Sequence, residues 1–195
     1  MSAIEVKGSL TYAEYVREME RRVKEMDPST LEDQELERAK FTRLNLQRTR
    51  RIGRTYTVSS DLATAARGVT SPQVWMVITE PWCGDSAQNL PYIAAVADLN
   101  EQIEISILLR DDHLDVMDRY LTDGVRGIPK LVAFDGQGRE LFRWGPRPRE
   151  AAELFQQAKE AGLEKPRIME QVHGWYAKNR GQALERELLA LIAQS

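Results

Sequence analysis

Cys83 is the only cysteine of the chain, and its surroundings say what chemistry it could do. It stands in the run Thr79-Glu80-Pro81-Trp82-Cys83-Gly84-Asp85-Ser86. Before that run lies an apolar segment, Val74-Trp75-Met76-Val77-Ile78, with the length and β-branched content of a buried strand. After it, Leu90, Ile93, Ala94, Val96, Ala97 and Leu99 recur at helical spacing. A thiol at a strand-to-helix junction meets free backbone N–H groups and the positive end of the helix dipole, and both favour the thiolate. The expectation is a nucleophile with a pKa below the roughly 8.5 of a free thiol. The plain alternative is a small buried hydrophobe.

The neighbours qualify that reading. The Asp85 carboxylate, two residues on, disfavours a thiolate; its ordinary role at this position is to cap the helix. Ser86 can donate a hydrogen bond to the sulfur but cannot resolve a mixed disulfide. With one cysteine no intramolecular disulfide can form, so any exchange needs an outside thiol. The two histidines, His113 and His173, make no zinc pattern with it and read as surface or structural residues. No phosphate-cradling glycine motif is present. Neither a metal nor a cofactor is expected.

Trp82-Cys83-Gly84, with Pro91 inside the following helix, resembles the active-site turn of the thioredoxin-like superfamily. Gly127-Ile128-Pro129-Lys130-Leu131-Val132-Ala133-Phe134 is similar to the superfamily's cis-proline and the strand after it. The run Trp-Cys-Gly-Asp-x-x-Gln, with Leu109-Arg110-Asp111 and Trp144-Gly145-Pro146-Arg147-Pro148, resembles bacterial thioredoxin-family proteins. Dithiol members carry a second cysteine where this chain has Ser86. The resemblance implies that Pro129 is cis and lies opposite the thiol. It also implies that the Ile128 backbone is free to pair with an extended substrate and that Trp82 shields the sulfur. It further brings Arg110, Arg126 and Arg147 near the nucleophile's end of the sheet. There they could hold the carboxylates of a small glutathione- or bacillithiol-like thiol by bidentate hydrogen bonds. Their ordinary alternative is pairing with Asp111, Asp112 and Glu150.

The elements that must position these residues follow in order. A capping box, Thr11 and Glu14, opens an amphipathic helix ended by Asp27-Pro28-Ser29. A second helix runs from about Thr30 to Arg54, and a short one over Asp61 to Arg67. Ile103 to Leu109 is a strand; Asp111-Asp112 starts a helix with Leu114, Met117 and Leu121 inward and Gly124 near its end. Lys130 to Asp135 and Glu140 to Trp144 form a hairpin around Gly136-Gln137-Gly138, and Arg149 to Ala161 is again helical. Pro166 to Ser195 reads as one or two helices, anchored by Trp175 and Tyr176, with Leu184, Leu188, Leu191 and Ile192 packed on the same chain. The expected fold is α/β, a thioredoxin-like mixed sheet flanked by helices. It forms one domain over 1–195, with its core at about 72–162, an N-terminal helical extension over 1–71 and a C-terminal one over 163–195.

Composition sets the frame. Of the 195 residues, 42% are hydrophobic and 29% charged, with a formal net charge of −3, as in ordinary globular chains. One cysteine suits a reducing compartment. Met1 to Lys7 lacks the pattern of a signal peptide, and no apolar run reaches membrane-span length, so the cytoplasm is expected and a membrane is not. Seven basic residues without an acidic one lie between Arg38 and Arg54. No nucleic-acid motif accompanies them, so a solvated face is expected rather than nucleic-acid binding. The partner is a thiol or disulfide of a protein or small molecule, and no oligomeric state is implied. The function these observations imply is monothiol thiol–disulfide exchange; the alternative is a non-catalytic peptide- or protein-binding module of the same fold.

Overall fold

A computed structural model describes residues 8–195, so the start read above as lacking a signal peptide lies outside the described residues. The sheet is built on β1 (Gln73–Thr79), buried along its whole length. A β-branched, charge-free run of this kind can only be central, because both of its faces must leave water. β2 (Ile103–Leu109) pairs with it in parallel on one side, and β3 (Lys130–Asp135) antiparallel on the other. β4 (Glu140–Trp144) completes the order β2-β1-β3-β4 as the second strand of a hairpin. The parallel pair needs a crossover. α4 (Gly84–Ala97) supplies it, and this puts Cys83 at the carboxyl end of the central strand.

Alternation along β1 splits the core. Trp75 and Val77 face a large apolar cluster to which α2 (Asp33–Thr55), α3 (Ser60–Arg67), α4 and α8 (Gln182–Ile192) contribute Leu46, Leu62, Ile93 and Leu188. α1 (Tyr12–Glu25) adds Tyr15 and Met19, and its Thr11–Glu14 capping box is formed. Met76 and Ile78 face a smaller cluster with Leu108, Met117, Ile128, Val132 and Cys83. A third cluster joins α6 (Arg149–Glu160) to α7 (Lys165–Asn179) through Ala151, Ala158, Val172 and Tyr176. The tail is thus two helices, and Leu184, Leu188 and Ile192 are buried against the same chain as expected.

One element differs from expectation. After a 3₁₀ turn, Arg110–Asp112, the helix α5 covers only Leu114–Met117; Met117 is buried, while Leu114 and Leu121 are exposed. Asp123 and Gly124 both adopt positive φ, 50° and 76°, between the bridged residues Thr122 and Val125. Asp-Gly at such a pair favours a tight reversal over a helix end.

Candidate active site

Cys83 is the N-cap residue of α4, with extended backbone and no side-chain cap bond. Its N–H donates to the Glu80 carbonyl at 3.0 Å, which folds the turn back under the end of β1. The side chain is 8% exposed, and its thiol donates to the carbonyl oxygen of Ile128 at 3.3 Å. The next bond, Ile128–Pro129, is cis. The structure therefore brings together Cys83, Ile128 and Pro129, but the Ile128 carbonyl already serves the thiol.

The expected low pKa is reversed. Burial pushes the Cys83 thiol up to about 11, and the Asp85 carboxylate adds to the rise. The Ser86 hydroxyl and the N–H groups of Ser86 and Asp85 pull the other way and are outweighed. Ser86 is buried and accepts from the Thr79 hydroxyl at 2.6 Å, which leaves its own proton for the sulfur.

Asp85 is not the helix cap. Its carboxylate turns away from the α4 backbone to meet Arg147 Nη2 at 2.6 Å and the Tyr176 hydroxyl at 3.0 Å. Asn89 Nδ2 closes the cluster by donating to the Tyr176 oxygen at 2.9 Å and to the Asp85 carbonyl at 2.8 Å. Burial raises the Asp85 carboxyl, while Arg147 and then Tyr176 pull it back. Arg147 reaches Asp85 because its turn is pinned from two sides. Lys130 Nζ donates to the Gly145 carbonyl at 3.1 Å, and Glu187 of α8 takes both the Trp144 indole N–H at 2.6 Å and the Arg149 N–H at 2.7 Å.

The other two arginines are engaged elsewhere. Arg110 pairs with Asp111 at 2.7 Å and lies 4.9 Å over the Trp82 ring, whose second neighbour, Arg38 of α2, is also at 4.9 Å. Two guanidiniums thus lie against the Trp82 ring. Arg126 pairs with Asp118 at 2.7 Å, both exposed. Glu150, one of the carboxylates named as an alternative partner for these arginines, pairs with Arg186.

Residues missed in the sequence reading complete the surroundings. His173 of α7 stands against Gly84, where a Cβ would lie 2.9 Å from its Cε1, so a side chain at that position would have to displace the imidazole. Arg48 Nη1 is 3.6 Å from the same point, and Asn45 of the same helix donates to the Pro81 carbonyl at 3.1 Å. Burial, then Arg48 and Arg147, lowers His173 to about 4. Their only sequence signal was the i, i+3 spacing of His173 and Tyr176, and of Asn45 and Arg48, which puts each pair on one helix face. Among the described residues no group of three or more His, Cys, Asp or Glu side chains could hold a metal ion. No helix among them is long and apolar enough to cross a membrane.

This fold agrees with comparison to known proteins. A thioredoxin family model matches residues 30–159, and the chain belongs to that family. No protein of curated function matches it. Two solved structures share the fold. One is a protein of unknown function from Pseudomonas aeruginosa, 20% identical, with TM-score 0.54 over 94% of this chain and 98% of that one. The other is an HIV epitope-scaffold, 18% identical, with TM-score 0.54 over 95% and 99%.

Proposed function

We propose that this thioredoxin-fold protein performs thiol–disulfide exchange through Cys83 alone, in a reducing, cytoplasmic compartment, with an outside thiol closing the cycle. The observation that supports the reading is the 3.3 Å approach of the sulfur to the Ile128 carbonyl, directly before cis-Pro129. Ser86 occupies the place from which a second thiol would resolve the adduct. The Cys83 thiolate attacks one sulfur of a disulfide R–S–S–R′, and R′S⁻ leaves and is protonated. The outside thiolate then attacks the R sulfur of the adduct. The Cys83–S bond breaks, and Cys83 departs with the electron pair and takes up a proton. A thiol with a pKa of about 11 is only on the order of one part in ten thousand thiolate at neutral pH. Attack is slow for that reason. Such a thiol is also a poor leaving group, so the adduct is long-lived.

The same buried, protonated thiol favours a second reading, a module that binds an extended peptide between Cys83 and Pro129 without chemistry. Mass spectrometry after exposure to a small symmetric disulfide separates the two. Exchange predicts one added R–S group at Cys83, absent from Cys83→Ser, forming faster as pH rises towards the thiol pKa and persisting until thiol is supplied. No adduct at any pH, with peptide binding unchanged in Cys83→Ser, would leave the module reading.

A further inference from the structure

A cavity of about 720 Å³ is lined by residues of α2, α4 and the α7–α8 junction, and its volume falls among those of small-molecule sites. Gln88 and Tyr92 of α4 line it, four residues apart and so on one face of the helix. They are only 6% and 7% exposed. Among the described residues neither the Gln88 amide nor the Tyr92 hydroxyl has a hydrogen-bond partner, yet neither is sealed from solvent. Buried polar groups are almost always hydrogen-bonded. These two have the cavity they line from which to draw a partner.

Arg51 of α2 and Arg180 line the same cavity, and among the described residues no carboxylate lies within ion-pair distance of either. Both act electrostatically on the Tyr92 phenol. Arg180 holds φ at 51°, in the left-handed region that few non-glycine residues occupy, and Gly181 beside it lies against the Tyr92 ring. The lining has one carboxylate, Glu185, which accepts the Tyr56 hydroxyl at 2.6 Å. Two cations against one anion leave a positive excess, and Arg48, one turn before Arg51, adds to it.

We propose that Arg51, Gln88, Tyr92 and Arg180 form a binding site for the phosphate group of a small phosphate ester, independent of any exchange at Cys83. The positive excess selects an anion and repels a cation. A planar carboxylate is satisfied by one guanidinium fork, whereas a tetrahedral phosphate presents oxygens in several directions. Two guanidiniums, an amide and a phenol from three parts of the chain suit the second shape. A bare phosphate would fill only part of the cavity. Ile52 and the Tyr56 ring, set edge-on to Tyr92 with centroids 4.5 Å apart, offer apolar surface to the organic part of an ester. Both arginines are exposed, so the site is reached from solvent.

The probe is phenyl phosphate, titrated calorimetrically into the full chain at constant ionic strength, beside inorganic phosphate and benzoate. Phenyl phosphate should bind saturably in the millimolar range or below. Inorganic phosphate should compete with it but bind at least tenfold more weakly, and benzoate should not compete at the same concentration. Arg51→Gln/Arg180→Gln should weaken phenyl phosphate tenfold or more, because it removes the charge-assisted hydrogen bonds. Both positions are exposed, so its circular dichroism and urea midpoint should stay native. Tyr92→Phe keeps the ring against Gly181 and should weaken binding threefold or more, a second reading that does not touch the charge. Arg54→Gln removes an exposed arginine of α2 outside the cavity and should bind as the native chain does. So should Cys83→Ser, which separates this site from the exchange reading. The proposal is overturned by no saturation with either phosphate, by inorganic phosphate or benzoate binding as tightly as phenyl phosphate, by native affinity in the double arginine variant, or by an equal loss in Arg54→Gln.

Discussion

Two buried carboxylates flank the turn, and the chain treats them differently. Glu80, three residues before Cys83, is 3% exposed; Asp85, two after it, is 5% exposed. Burial raises the pKa of both. Asp85 is met by an arginine and a phenol from two other elements, so it ties α4 to the β4–α6 turn and to α7. Glu80 makes no ion pair among the described residues; its Oε1 accepts the Asp111 N–H at 2.8 Å, which fixes the end of β2 against the turn. One carboxylate is a charged crosslink to the C-terminal extension and the other a backbone clamp. The lesson is that position 85 depends on ionisation and position 80 on acceptor geometry.

The largest effect should come from removing the Asp85 counter-ion. Arg147→Ala leaves a buried carboxylate with Tyr176 as its side-chain hydrogen-bond donor and no paired cation, and losses of about 3–5 kcal/mol are usual when one partner of such a pair is removed. The deficit should depend on pH. A carboxyl whose folded pKa lies above its unfolded value binds its proton more tightly when folded. Stability therefore falls as pH rises from the unfolded carboxylate range through the folded pKa, and is flat above it. Without Arg147 the Asp85 carboxyl rises further, so the deficit in urea unfolding should be full at neutral pH and shrink on acidification. Arg147→Ala/Asp85→Asn should recover part of it at neutral pH. A pH-independent deficit, with no recovery, would make Arg147 a packing residue and break the contrast.

Legibility followed the same division. The strands, the hairpin, the boundary of α4 and the Ile128–Pro129 pair could be read because period, β-branching and motif are local signals. Leu114 and Leu121 misled because their helical spacing outweighed Asp123-Gly124, whose positive-φ preference governs that loop. At the site, Asp85 was read as a cap because its partners, Arg147 and Tyr176, lie far along the chain and come from separate elements. The thiol was read as acidified because helix-end effects are visible in sequence, whereas burial under Ile128 and the cost of desolvation are not. Arg48 was seen only as one of a basic run, although the structure gives it a neighbour, His173, unlike those of the rest.

A middling effect should follow from Tyr176→Phe. The ring stays in its cluster with Ala151, Val172 and Trp175 while the hydroxyl that serves Asp85 and Asn89 is lost. A buried group left with fewer partners costs about 1–3 kcal/mol. Because the lost donor stabilised a charge, the cost should again be smaller on acidification, which urea midpoints across pH would reveal. An equal cost at every pH would mean that the hydroxyl acts through Asn89 alone.

The smallest effect, and the sharpest test of the contrast, is expected at Glu80. Glu80→Gln keeps an oxygen that can accept the Asp111 N–H and removes the charge that burial penalises. Its net effect at neutral pH should lie within about 1 kcal/mol of native and be neutral or stabilising. The sign follows from linkage. The native carboxyl, raised in the folded state, makes stability fall as pH rises through its folded pKa, and the amide has no such fall. The variant should therefore gain on the native chain from acid to neutral pH, the opposite of the trend expected for Arg147→Ala. Glu80→Ala, which leaves the Asp111 N–H without its acceptor, should cost about 1–3 kcal/mol. If Gln and Ala cost the same at neutral pH, the charge rather than the acceptor holds this end of β2, and Glu80 joins Asp85 as an ionic residue of the turn.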